Sequence, residues 1–197
     1  MNIVSPCCVA LLLLCCCGSS KSSENKLDSL EFAVTDSLLQ KPVLDKQLKA
    51  SFRPPKNWEI SLPDSLRQML SGYFSNKAAA PLHTYYCPAS RAFMVVEKNA
   101  AIDAQKGSTF LSDLEQSYKR QIPQSEIRTV MFKKYDFRVY QIIVNAGPVV
   151  LVSLFFNAET CSPFKISFLL PFNSFAEHMK IVESVIGSVN SIDDTKR

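Results

Sequence analysis

The sequence predicts an α+β domain, an antiparallel sheet of about six strands made of a hairpin and a four-strand meander, with two to three helices packed on it. Three observations carry this. Between residues 126 and 170 the apolar runs Glu126–Lys133, Phe137–Asn145, Pro148–Asn157 and Phe164–Leu170 follow one another with connections too short for parallel crossovers. The strand-like runs Leu82–Cys87 and Ala92–Glu97 are parted only by Pro88-Ala89-Ser90, which reads as a hairpin turn. Three other segments repeat apolar residues at helical spacing.

The chain opens on a different pattern. Met1–Pro6 carries no Lys or Arg, and Val9–Leu14 is an apolar stretch far below the roughly 20 residues that cross a bilayer as a helix. Five of the seven cysteines stand in the first seventeen residues, and after Cys15-Cys16-Cys17 the sequence turns abruptly polar with Gly18-Ser19-Ser20. This segment resembles a bacterial lipobox. Leu14 takes the apolar position, Cys16 the small one and Cys17 the acceptor; Cys16 is the second choice of acceptor, with Leu13 and Cys15 in support. The resemblance implies cleavage of residues 1–16, a thioether between the Cys17 sulfur and a glyceryl lipid, and acylation of the new amine. Each buried methylene is worth about 0.8 kcal/mol, so two or three chains hold a protein on a membrane. The implied location is the bacterial cell envelope, lipid-anchored and facing the periplasm or the exterior. An ordinary secretory leader or a buried N-terminal helix is the alternative.

Residues 17–51 read as a lipidated tether and stalk. Gly18–Asn25 is Ser-rich and flexible, and the apolar residues from Leu27 to Leu39 fit no single period before Pro42 interrupts them. The domain is expected over residues 52–192, with a tail at 193–197. Trp58 reads as core, with a ligand platform as the alternative. Leu66, Met69, Leu70, Tyr73 and Phe74 predict a helix over 63–74; Ser108 is placed to cap a second, striped by Phe110, Leu111, Leu114 and Tyr118. Val149–Val152 with Leu154–Phe156 is apolar on both faces and predicts the central strand. Phe164, Ile166 and Phe168 alternate with Lys165 and Ser167, predicting a strand with one face in solvent. Ser174 and Glu177 form a capping box for a closing helix lined by Phe175, Met179, Val182, Val185, Ile186 and Val189.

Chemistry-bearing motifs are sparse. Five scattered glycines supply no phosphate-cradling loop and no nucleophile elbow. His83 and His178 stand in no motif that predicts a partner, and His83 and Cys87, four apart on a strand, are roughly 13 Å apart and cannot share an ion. No catalytic residue, metal ligand or cofactor is expected. A net charge of +4, with Lys119, Arg120, Arg128, Lys133, Lys134 and Arg138 on neighbouring elements, reads as a solvated face and not as a nucleic-acid site. Cys87 and Cys161 each stand beside a turn; a disulfide worth about 4 kcal/mol and a pair of free thiols are equally compatible with that placement.

The order of elements, a Phe-x-Pro-x-x-x-Trp lead-in at Phe52–Trp58, helix, hairpin, second helix, meander and a closing helix ending near Ile186-Gly187-Ser188-Val189, resembles the PsbP/DcrB-like family over residues 50 to 192. The sequence departs from that family in leaving little room for an opening strand pair before Trp58. The resemblance implies a non-enzymatic accessory or binding subunit for another envelope protein, with the membrane and a protein as partners. Trp58, Phe155, Phe156 and Phe168 are the candidate partner surface. In the competing reading they line a cavity for a small apolar or lipidic ligand; an envelope hydrolase comes third.

Overall fold

The computed structural model describes residues 28–60, 81–99 and 107–192. The leader, Cys16, Cys17, the helix expected over 63–74 and the tail at 193–197 lie outside them. In chain order the elements are β1 (Val43–Asp45), β2 (Ala50–Phe52), β3 (His83–Cys87), β4 (Ala92–Lys98), α1 (Gly107–Gln121), β5 (Glu126–Lys134), β6 (Phe137–Asn145), β7 (Val149–Asn157), β8 (Phe164–Pro171), α2 (Phe175–Ser188) and β9 (Asn190–Ser191). A large antiparallel sheet runs β3-β4-β8-β7-β6-β5, and a small one runs β1-β2-β9. The protein is α+β, with two described α-helices on antiparallel sheets.

The meander follows from its turns. Gly147 takes φ 77°, the left-handed region glycine enters without penalty, and its N–H donates to Asn145 Oδ1 at 3.2 Å. Lys134 pairs with Phe137, leaving Tyr135 and Asp136 as a two-residue turn, with Tyr135 left-handed at φ 49°. β7 lies inside the sheet and is buried from Val150 to Phe156, as the apolar run demands.

The large sheet is covered on both faces. One face carries Met94, Val96, Val152, Leu154, Phe156, Ile166 and Phe168, and meets α2 through Val182, Val185 and Ile186, with Leu48, Phe52 and Trp58 from the N-terminal region. The other carries Phe93, Tyr140, Ile142, Leu151, Phe155 and Leu169, and meets α1 through Phe110, Leu111, Leu114 and Tyr118.

Four expectations need correction. β8 has no solvent face: Lys165 and Ser167 are buried with the rest of the strand, because each finds a polar partner beneath α1. The stalk expected over 17–51 is structured from residue 28 onward. Ser29 forms a parallel bridge to Lys133, the Phe32 ring lies 5.4 Å from that of Phe132, the Thr35 N–H donates to Ser184 Oγ at 3.2 Å, and β1 and β2 pair as a hairpin. That hairpin is also the opening strand pair for which the sequence showed little room. The Ser174 side chain caps nothing; a 3-10 turn, Phe172–Ser174, leads directly into α2, and the Ser174 carbonyl accepts the Nδ1–H of His178 at 2.8 Å. Ser108 stands inside α1, one residue past Gly107, and not before it.

Candidate binding site

The β5–β6 turn sets two exposed residues between two anchors. Lys134 is 2% exposed and donates from Nζ to the Val189 carbonyl. Val189 is the C-cap of α2, so the ammonium meets the partial negative charge that gathers at a helix C-terminus. Burial pulls the Lys134 amine down to about 8. Phe137 is buried in edge-on contact with the rings of Phe156 and Phe164, at 5.7 and 6.0 Å. Between them Tyr135 stands 67% exposed, its ring centroid 4.4 Å from the Lys134 ammonium. Left-handed backbone is costly for a bulky residue and persists only where the surroundings fix it; the two buried neighbours do so here.

Facing the turn, β9 supplies Asn190 and Ser191, with the Asn190 amide donating to the Ser188 carbonyl at 3.0 Å. Tyr135, Asp136, Phe137, Asn190 and Ser191 line a cleft of about 520 Å³. Its wall offers an aromatic face, a carboxylate, an amide and a hydroxyl. Cys161 lies close enough to feel the Asp136 charge; burial, chiefly, pushes its thiol up, and Sγ donates to the Lys49 carbonyl at 3.1 Å. It is a protonated structural thiol and no nucleophile.

The residues expected to form a partner surface do not form one. Trp58, Phe155, Phe156 and Phe168 are all buried, with Phe155 on the α1 face and the other three in the core on the opposite face. Trp58 packs edge-on against His178 at 6.2 Å, and Phe155 against Phe110 at 5.1 Å. Cys87 and Cys161 are separate free thiols. Cys87 pairs with Ala92, level with the Leu169 end of β8, whereas Cys161 precedes the Phe164 end. The stretch of β8 from Phe164 to Leu169, roughly 17 Å at 3.4 Å per residue, stands between positions whose Cα atoms would have to come within 7 Å.

Both histidines are structural. His83 Nε2 lies 2.7 Å from Asp45 Oδ2, tying β1 to β3, and its ring packs on Phe52. Burial pushes the Asp45 carboxyl up, yet hydrogen bonds from His83 and from the Leu48 and Gln47 amides outweigh it and leave the group below its ordinary value. His178 bridges the Ser174 carbonyl and Ser90 Oγ. Among the described residues no serine or cysteine is bonded to His83, and no three His, Cys, Asp or Glu side chains gather as a metal site. The expected basic surface loses Lys134 to the interior. No helix among the described residues is long and apolar enough to cross a membrane.

The most polar interior lies under α1. Glu97 and Lys165 pair on adjacent strands, Ser153 and Ser167 Oγ atoms are 2.9 Å apart, and Tyr118 of α1 reaches down to Ser153. Among the described residues the buried Tyr140 hydroxyl has no hydrogen-bond partner.

Solved structures of similar architecture include cyanobacterial PsbP (CyanoP) from Synechocystis sp. PCC 6803, at a TM-score of 0.48 and 10% identity over 80% of this chain and 95% of that one. LpqN of Mycobacterium tuberculosis, a protein involved in cell envelope biogenesis, gives 0.48 and 14% over 81% and 97%. The Pseudomonas aeruginosa protein PA94, of unknown function, gives 0.45 and 10% over 76% and 96%. Cyanobacterial PsbP is of the family that the element order resembles. Such likeness says nothing of activity. No protein-family model matches the chain, and no curated protein matches it.

Proposed function

We propose that the chain is a lipid-anchored bacterial envelope protein without catalysis of its own, an accessory subunit that presents the Tyr135 cleft to another envelope protein. The observation that carries this is Tyr135 itself: a large aromatic residue, mostly in solvent, held left-handed in a turn anchored by buried Lys134 and Phe137, beside a cleft. Exposed tyrosines of this kind are enriched among residues that dominate binding energy. The tether joins the domain at Lys133, two residues from Tyr135. If Cys17 carries the lipid, the span from there to Asp28 reaches at most roughly 40 Å at 3.6 Å per residue, which keeps the cleft near the membrane. The lipidic-carrier reading loses its cavity, because Trp58, Phe156 and Phe168 fill a packed core. The cleft volume keeps a second reading alive, a small polar ligand, since such sites span roughly 300–1,000 Å³.

The test is affinity capture of the intact protein from its own membrane, beside a Tyr135→Ala form. A co-purifying envelope protein that is lost from the variant supports the reading; a stoichiometric small molecule and no protein overturns it. For the anchor, Cys17→Ser is expected to release the protein from the membrane or to leave the leader uncleaved. Normal processing with unchanged retention overturns that part.

A further inference from the structure

We propose that β5 pairs edge to edge with β5 of a second copy of this chain, antiparallel and centred on Ile127. The inference needs neither the anchor nor the Tyr135 cleft.

β5 is an outer strand of the large sheet, and the backbone shows which of its groups point away from β6. The Lys133 N–H donates to the Asp28 carbonyl, and the Lys133 carbonyl accepts the Leu30 N–H, both at 2.9 Å. Lys133 therefore faces outward. In an antiparallel pair such groups alternate, so Ile127, Thr129 and Met131 face outward too, while the even-numbered residues bond to β6. Among the described residues these three have no strand partner. The opposite edge of the sheet differs, since Glu59 bridges Tyr86 on β3. An exposed strand edge is a template for another strand, and Glu126, Arg128, Thr129 and Val130 are all exposed.

Charge and space select both occupant and register. Centring on Ile127 sets Ile127 against its own copy, Thr129 against Ser125, and Glu126 against Arg128 twice. Each is a favourable cross-strand pair. The Ser125 N–H is already given to the Ile122 carbonyl, but its carbonyl remains for the Thr129 N–H of the other copy. Moving the centre to Arg128 brings two guanidinium groups face to face. Moving it to Thr129 brings Ser125 against Lys133, whose outward groups the tether already holds. A second copy thus fits the edge in one register, with two reciprocal ion pairs.

The test uses the full chain. Sedimentation equilibrium is expected to show a dimer that Glu126→Arg or Arg128→Glu weakens at least tenfold. Mixing the two variants is expected to restore it, because every cross-strand pair is then of opposite charge. Under mild oxidation Ile127→Cys is expected to give a disulfide-linked dimer, its two Cα atoms lying about 5.5 Å apart, and Thr129→Cys to give none above the background of wild-type Cys87 and Cys161. A monomeric wild type, variants that dimerise unchanged, a mixture no tighter than its components, or linkage through Thr129→Cys would each overturn the proposal. Both charge reversals alter exposed side chains, and circular dichroism confirms that the variants are folded.

Discussion

Lys165 Nζ and Glu97 Oε2 lie 2.6 Å apart inside the protein, on adjacent strands beneath α1, with side chains 9% and 6% exposed. The two form a buried ion pair, which sets up an asymmetry. Removing the Lys165 ammonium takes away the countercharge of the buried Glu97 carboxylate and costs about 3–5 kcal/mol, while replacing both with apolar residues costs far less. Lys165→Met is expected to lower the urea midpoint sharply, and the double variant with Glu97→Leu to recover most of the loss. Additive losses in the double-mutant cycle would show that the two charges do not support one another.

Tyr140 carries the opposite expectation. Its hydroxyl is fully buried and has no partner among the described residues, and an unsatisfied buried polar group costs about 1–3 kcal/mol. Its ring still packs against Phe110 at 5.6 Å. Tyr140→Phe keeps the ring and removes the hydroxyl, so it should leave stability unchanged or raise it by about 1 kcal/mol. A clear loss on chemical denaturation would reveal a partner for the hydroxyl, such as a buried water.

What the sequence conveyed and what it hid divide along range. The meander was legible because each strand is long and each turn local: Tyr135-Asp136 and Ala146-Gly147 mark their hairpins without reference to distant residues. β8 reads wrongly from sequence because Lys165 and Ser167 look like a solvent face under period-two logic. Only their partners, Glu97 on β4 and Ser153 on β7, make them interior, and a pattern on one strand does not reveal a partner on another. β1 and β2, three residues each, are too short to show alternation. The aromatic residues expected at the surface were drawn inside by the same apolarity that singled them out. Nothing in the sequence marks Tyr135, because its distinction, a left-handed turn position between buried Lys134 and Phe137, needs the burial of Lys134, and a second lysine beside Lys133 reads as surface.

Gly187 lies where α2 meets the incoming N-terminal segment. A Cβ there would stand 2.8 Å from both the Phe32 carbonyl oxygen and Val34 Cγ2. In an exposed helix, alanine in place of glycine gains up to about 1 kcal/mol. Here one of the crowded atoms is backbone, and overpacking costs about 1–3 kcal/mol, so the clash should win. Gly187→Ala is expected to destabilise the protein and to push residues 28–34 off α2, speeding limited proteolysis there. A more stable protein with an equally protected segment would show that the segment is not seated against the helix.

Lys134 makes stability depend on pH in a way that can be isolated. Burial lowers its amine from 10.5 to about 8 in the folded protein. Between those values the unfolded chain holds a proton that the folded chain has shed, so stability rises with pH across that window and is flat with respect to this group below it. Each unit is worth about 1.4 kcal/mol, which bounds the rise at about 3.5 kcal/mol. The bond from Nζ to the Val189 carbonyl favours the ammonium and keeps the rise below that bound. Lys134→Met removes the titration and the bond together. The stability difference, wild type minus variant, is therefore expected to be small or negative at pH 7 and to climb toward pH 10.5 as the buried amine sheds its charge. Other lysines and tyrosines titrate alike in both proteins and cancel in the difference. Urea unfolding at half-unit steps from pH 7 to 10.5 measures it, and parallel curves would mean that the Lys134 amine keeps its ordinary affinity for the proton.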